Sequence, residues 1–443
     1  MQPINIGMLG GGTVGSGVFH ALQLNGTLLA SRIGVPINVY KIAVKAFDEP
    51  RPYPIPQALM TTDWTRVVND PKVQIVIELV GGVTLAKTMV LTALKLGKPV
   101  ITANKALLSA HGEELFAAAQ EYGANLYYEA SVAGGIPIIK AVREGFVGNQ
   151  FTHIYGIVNG TCNYILTRMK LEGAEFAEVL AEAQKLGYAE AEPSLDIDGH
   201  DSMHKIGILA SLAHGFWVSP KTIHIEGIRH ISRADIQFAG QLGYTIKLLG
   251  IIKKIPGARK PGSRPHGSHV QVAVYPTLVP NGHVLANVNH VFNAVFVRGD
   301  IVGDTLFYGR GAGKDATASA VLSDVADAAL DLKFGTKCRV PPFVPHERKG
   351  AVLPIDLVSS RYYVRLSVLD QPGVMAKITT ILGRAKISIA SIIQPEGQAG
   401  DRVPLILMTH EAPNAAMTKA LTAIGRLSVV KAAPVMIRVE NFE

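Results

Sequence analysis

The stretch "IGMLGGGTVGSG", residues 6–17, constrains the fold of this chain more than any other. An apolar run ends at a turn with Gly10, Gly12 and Gly15 in G-x-G-x-x-G register, and an amphipathic run follows at once. When a buried strand enters a helix this way, the first glycine permits the tight turn. The second lets the backbone approach a ligand, and the third lets helix and strand pack closely. The free N–H groups at the helix start then face an anion. Strand, turn and helix in this order predict a pyrophosphate cradle for a dinucleotide, with Gly10, Gly12, Thr13, Val14 and Gly15 at the contact.

Which dinucleotide depends on the next apolar run. An NAD site carries an acid about twenty residues past the glycines. Here the run ends late, in "AVKAFDEPR", and Lys45 precedes any acid. A cation there favours a 2′-phosphate, so NADP is the expected cofactor. Asp48 keeps NAD open, and an ordinary surface role for Lys45 is the competing reading.

Short apolar runs and longer amphipathic ones alternate through "INIGML", "INVYKIAVKAF", "VQIVIELVGG" and "PVITAN", the pattern of buried parallel strands with crossover helices. The fold class is therefore α/β. Residues 1–133 form a Rossmann-type doubly wound parallel sheet, and the segment 310–335, with "GAGKDATASAVLSDVADAAL", returns to it. Residues 134–309 read as an α+β domain with long β segments, to which the resemblance given below assigns substrate binding and dimerisation. Residues 336–358, with "RVPPFVPHERKGAVLP", read as a linker. Residues 359–443 follow the order βαββαβ of a ferredoxin-like unit, from strand Tyr362 to Leu369 through to strand Leu427 to Val439.

A net charge of +8 raises the question of nucleic acid, but the cations are spread along the chain, which points to small anions instead. The one basic cluster, Lys253 to His269, is rich in Pro and Gly and reads as a surface loop. Only Cys162 and Cys338 occur, with neither disulfide nor metal spacing, and the chain starts without a leader pattern or a spanning apolar run. A cytoplasmic protein with no membrane or nucleic-acid partner is expected.

Two stretches offer proton chemistry. In "TANKALLS", Lys105 follows a strand at the sheet edge where ligands bind in open α/β folds. In "GYAEAEPSLDIDGHDSMHK", Glu190, Asp196, Asp201 and Lys205 crowd together, and a helix starting near Gly199 puts Asp201 and Lys205 on one face. Taken alone, the pair could be an ordinary i,i+4 ion pair. In "GIVNGTCNYILT", Asn159, Gly160 and Thr161 can offer N–H and hydroxyl groups to a carboxylate. In "YYEASVAGGIP", Glu129 precedes a glycine-rich bend, either as a satisfied buried acid or as part of a cation site.

In this order, "GTVG", "TANKALLS", "GIVNGTCNYILT", the block from Gly187 to Lys205 and "YGRGAG" resemble the homoserine dehydrogenase family along essentially the whole chain. Glu192 stands where relatives usually have Asp. The resemblance implies NAD(P)H-dependent reduction of L-aspartate 4-semialdehyde to L-homoserine, with Lys205 and Lys105 flanking the reacting bond and Asp201 orienting the site's lysine and water. It implies Glu190 and Asp196 at the substrate amino group, Asn159 to Thr161 lining the pocket, and Gly187 and Gly311 at the cofactor. It also implies a structural Na⁺ on Glu129 and the carbonyls of Val132, Gly134 and Ile136, and a homodimer or homotetramer.

"RLSVLDQPGVMAKITTILGRAKISIASIIQ" resembles an ACT domain. This implies L-threonine as ligand near Asp370, Gly373 and Val374, against a purely subunit-holding role. Two other classes compete: an acyl-enzyme aldehyde dehydrogenase using Cys162, and a non-enzymatic threonine or NADP sensor.

Overall fold

The computed structural model describes residues 2–255, 269–336, 338–398 and 401–442; most of the basic Lys253–His269 loop lies outside them. Six parallel strands form the first sheet: β1 (Ile4–Leu9), β2 (Ile37–Ala43), β3 (Met60–Thr61), β4 (Ile75–Glu78), β5 (Val100–Thr102) and β6 (Leu126–Tyr127), in the order β3-β2-β1-β4-β5-β6. That order reverses between β1 and β4. The crevice beyond their C-terminal ends is the binding position of a doubly wound sheet. The returning helix Lys314–Phe334 packs Ala318, Val321 and Val325 into the same core as Val18, Phe19 and Leu22 of helix Thr13–Ile33.

The second sheet contains β7 (Phe151–Ile157), β8 (His224–Ile225), β9 (Tyr244–Ile255), β10 (His269–Pro280), β11 (Phe292–Gly299) and β12 (Gly303–Arg310). It continues through β13 (Ala351–Val352), β14 (Ser359–Leu369), β15 (Ile389–Ile393), β16 (Arg402–Thr409), β17 (Ala412–Pro413) and β18 (Val435–Val439). Its path runs β12-β11-β7-β9-β10-β18-β14-β16-β15, and helix His200–His214 lies against β9 and β10. The C-terminal unit keeps the expected βαββαβ order with helices Val374–Arg384 and Asn414–Gly425. Its last strand is shorter than the apolar pattern suggests. Pro434 interrupts that run, and Val430 makes only an isolated bridge to Val368.

The β10 edge of the β7–β12 strands is therefore filled from within the chain, where β18 pairs in parallel with β10 (Thr277 with Arg438, Leu278 with Val439). Buried ion pairs hold this junction. Arg438 donates to both oxygens of Glu226, and Arg365 to both oxygens of Asp235. Residues 339–352 run as a strap over the preceding domains. The Tyr128 hydroxyl donates to Pro342 O, Phe343 packs on Phe116 and Trp217, and β13 pairs with β10. Pro-rich composition hides such anchoring because a few aromatic contacts suffice.

Candidate active site

The glycine turn behaves as its spacing requires. Gly10 has φ +107°, and a Cβ there would lie 2.6 Å from Leu79 O. At Gly15 a Cβ would come within 2.1 Å of Gly10 O, so helix and strand touch through bare backbone. A Cβ on Gly12 would meet nothing within 4 Å, and no side chain caps the helix that follows it. An open approach to uncapped N–H groups is what a diphosphate needs. Lys45 is exposed just past β2, outside the cleft described below.

"TANK" divides its labour. Thr102 donates to the buried Glu78 (2.6 Å), whose carboxylate also accepts from Val80 N (2.8 Å) and shapes the next loop. Asn104 accepts from Leu107 N (3.0 Å) as N-cap and donates to Gly82 O (2.7 Å). Helix Lys105–Glu121 therefore begins at Lys105, earlier than its apolar pattern suggests, because a polar cap precedes the first buried residue. A cation in the first turn opposes the helix dipole. Lys105 is compensated from outside, by Asp201 Oδ1 at 3.1 Å.

The acidic block splits into separate jobs. Asp198 pairs with Arg229, and Glu192 caps the short turn at Ser194. Gly199, with φ +88°, starts helix His200–His214 and brings Asp201 and Lys205 together. Lys205 is 8% exposed, and its Nζ donates to Asp201 Oδ2 (2.7 Å) and Val158 O (2.6 Å). Burial acts to raise the Asp201 carboxyl, yet Lys205, Lys105 and the Asn159 amide hold it well below the usual carboxylate range. The carboxylate thus stays charged between two lysines.

Asn159, expected to line the pocket with Gly160 and Thr161, does line the cleft, and its side chain is also bonded to its neighbours. Its Oδ1 accepts from Cys162 N (2.8 Å), and its Nδ2 donates to Asp196 Oδ1 (2.7 Å) and Asp201 Oδ2 (2.9 Å). The Thr161 hydroxyl lies within hydrogen-bond distance of Tyr188 O (2.7 Å) and Asp196 Oδ2 (3.1 Å). Both residues therefore position acids. Cys162 is buried, with its Sγ toward Asp196 O, and burial with Asp196 and Asp201 pushes its thiol up. That environment suppresses the thiolate an acyl-enzyme would require.

These groups line one cleft of two connected lobes. A lobe of about 580 Å³ holds Val14, Lys105, Gly160, Thr161, Gly187, Asp196, Asp201, Lys205 and Gly311. The adjoining lobe, about 420 Å³, shares Val14, Lys105, Asp196 and Asp201 and adds Glu190 and His204. Val14, in the first turn of the helix after the glycines, thus meets the lysines and acids at the sheet crevice. The Asp370, Gly373 and Val374 group lies apart in the C-terminal unit. There Gly373, φ +83°, starts a helix, Gln394 donates to Asp370 Oδ1 (3.2 Å), and Val374 N points to Gln371 O at 3.4 Å.

Glu129 sits behind the cleft, its oxygens accepting from Ile139 N (3.0 Å) and Lys140 N (2.8 Å), and burial pushes its carboxyl up to about 7. The bend after it holds Ala133 and Gly134 at φ +55° and +52°, and a Cβ on Gly134 would meet Gly311 O at 2.5 Å. The bend after Glu129 and the Gly311 loop are therefore in backbone contact.

Sequence reasoning missed Glu78, His204, Val291 and Asn293. Asn293 is 1% exposed, lines the cleft beside Gly311, and its buried Oδ1 has no partner among the described residues. An Asn in an otherwise apolar strand, "NAVFV", was the available signal.

Three family models match the chain: "Homoserine dehydrogenase, NAD binding domain" over residues 10–129, "Homoserine dehydrogenase" over residues 137–326, and "ACT domain" over residues 362–426. A homoserine dehydrogenase of Pseudomonas aeruginosa is 43% identical, with 100% of both chains covered. One from Bacillus subtilis is 38% identical over 100% of this chain and 99% of its own. The crystal structure of a homoserine dehydrogenase from Thiobacillus denitrificans superposes with a TM-score of 0.89 at 42% identity, covering 100% of this chain and 99% of that one. A hyperthermophilic archaeal homoserine dehydrogenase in complex with NADPH matches 74% of this chain and 98% of its own, with a TM-score of 0.59 at 26% identity. On full-length sequence likeness and shared architecture together, the chain belongs to the homoserine dehydrogenase family of NAD(P)-dependent oxidoreductases.

Proposed function

We propose that the cleft interconverts L-aspartate 4-semialdehyde and L-homoserine with Lys205 moving the proton and NADP as cofactor. The observation that carries this is the Lys105–Asp201–Lys205 array at the mouth of the glycine turn. When bound, a nicotinamide dinucleotide supplies or accepts the hydride. Gly10, Gly12, Thr13, Val14 and Gly15 would hold its diphosphate, Gly187 and Gly311 would border it, and Lys45 would meet a 2′-phosphate.

The chain's own part is proton handling and orientation. An ammonium has three N–H donors. Lys205 uses two on Asp201 and Val158 O, which leaves the third for the substrate oxygen. Lys105, partly exposed, stabilises charge developing on that oxygen. Asp201 keeps both lysines aimed. Asp196, oriented by Asn159 and Thr161, and Glu190, across the cleft, take the substrate's ammonium group.

The Glu129 bend has the donor chemistry of a Na⁺ site, one carboxylate with the carbonyls of Val132, Gly134 and Ile136. A cation there would offset a carboxylate that burial otherwise disfavours. L-Threonine at Asp370, Gly373 and Val374 would act through the β18–β10 pairing, since β10 packs on the helix bearing Asp201 and Lys205. For the homodimer or homotetramer, the β12 edge, with Leu306 and Tyr308 exposed, is the surface offered to another copy. Among the described residues no helix is long and apolar enough to cross a membrane. The test of the central assignment is turnover of Lys205→Ala. The variant should bind NADP normally and lose more than about 90% of kcat, a barrier increase above about 1.4 kcal/mol.

A further inference from the structure

Lys247, on β9, is 1% exposed, yet among the described residues no carboxylate forms an ion pair with it. Its Nζ meets oxygen dipoles instead: Asn163 Oδ1 (3.1 Å), Asn289 Oδ1 (3.3 Å) and Val288 O. Burial, with Lys170 as a second cation nearby, lowers its ammonium to about 7. A lysine sealed in without a counter-ion costs stability unless its donors are met, and here all of its partners are oxygen dipoles. Its value must lie in what it holds.

What it holds is the segment leading into β11. Asn163, 2% exposed, accepts from Lys247 and lies with its Nδ2 near three carbonyls, Val288 O (3.1 Å), His290 O (2.9 Å) and Phe292 O (3.1 Å). His290 sits in the left-handed region at φ +57°, and its N–H donates to Thr167 Oγ1 (3.0 Å). The segment then presents Val291 and Asn293 to the cleft. A Cβ on Gly160 would lie 3.0 Å from Val291 O, and one on Gly311 would collide with Asn293 Nδ2. Gly160 and Asn163 belong to the same helix, Gly160–Glu172. The clamp therefore ties a cleft wall to the helix that orients Asp196.

We propose that Lys247 and Asn163 form a positioning pair that sets residues 288–293 as the substrate-side wall of the cleft and so governs how tightly a short amino-acid alcohol is held. Neither residue touches the reacting atoms; both act through Val291 and Asn293. The inference rests on the assignment of this cleft as the substrate pocket. Lys205→Ala is run in parallel: full activity there overturns the pocket assignment and the clamp's role with it, whereas an inactive Lys205→Ala beside an unchanged KM in the clamp variants overturns the clamp alone.

Full-length wild type, Lys247→Met and Asn289→Ala are compared by steady-state oxidation of L-homoserine with NADP, by NADP titration and by melting temperature. Lys247→Met leaves buried acceptors unmet, and should raise KM for homoserine about tenfold while kcat stays within about threefold and NADP affinity within about twofold. Asn289→Ala removes one acceptor from a half-buried loop position and should raise KM about threefold, with no further increase in the double variant. A purely structural lysine would lower the melting temperature and leave KM alone, and that result overturns the proposal. Should Lys247→Met fail to fold, an unchanged KM in Asn289→Ala overturns it equally.

Discussion

Replacing Asp201 with Asn keeps the shape of the side chain and removes the charge between two lysines. The carboxylate presents one oxygen to Lys205 at 2.7 Å, the other to Lys105 at 3.1 Å, and also accepts from Asn159 at 2.9 Å. An amide keeps one oxygen and turns an N–H₂ toward a second cation. Two lysine charges held on one carboxylate are separated by roughly 6 Å, so their repulsion at an effective dielectric of about 20 is about 3 kcal/mol. Solvent around the partly exposed Lys105 screens most of this repulsion, so the cost of leaving the buried Lys205 without its partner, about 3 kcal/mol, is the larger part of what remains. A net loss near 3 kcal/mol in the transition state corresponds to roughly a hundredfold fall in kcat. The assay is absorbance of reduced nicotinamide at saturating homoserine and cofactor, with NADP affinity measured separately. Affinity should hold within about threefold, because the glycine turn makes no contact with the amide. A kcat within about tenfold of wild type would refute the electrostatic role given to Asp201.

Three other outcomes are expected. Glu129 has its carboxyl pushed up to about 7 by burial, so the folded chain takes up a proton that the unfolded chain, near 4.3, does not. Its contribution lowers stability as pH rises between those values. A bound Na⁺ offsets this only for the charged form, so NaCl in place of choline chloride should raise the melting temperature by about 3 °C at pH 8 and leave it unchanged at pH 5.5; equal melting in the two salts at pH 8 would remove the Na⁺ site. Lys45→Ala should weaken NADP about tenfold and leave NAD within about twofold; equal effects on both would assign Lys45 to the surface. L-Threonine should inhibit the wild type and lose its effect in Asp370→Ala, whereas neither inhibition nor a melting shift in wild type would leave the C-terminal unit a purely structural one.

The nucleotide domain was legible because its signals are local: three glycines with three different steric duties, set between a strand and a helix. The βαββαβ unit was legible for the same reason, through alternating apolar periods and the turn at Gly373. The meeting of Lys105 and Asp201 could not be read from spacing, since they lie on separate helices, and family resemblance supplied it. Small polar residues at a helix start suit an anion, and Asn159 and Thr161 do line the cleft; that their side chains also orient Asp196 and Asp201 depends on a distant segment and leaves no local trace. Lys247 gave no signal, because an isolated lysine in a strand reads as solvated until the fold buries it. The filling of the β10 edge by β18 was equally hidden, since pairing partners far apart in sequence leave no local trace.

The most direct test is the rate of nicotinamide reduction by the full-length protein with L-homoserine, NADP and NAD in parallel, for wild type and Lys205→Ala. The account predicts turnover by the wild type, faster with NADP, and less than about a tenth of that kcat in a variant that still binds cofactor. A Lys205→Ala enzyme that binds NADP and retains more than about a tenth of wild-type kcat would contradict it.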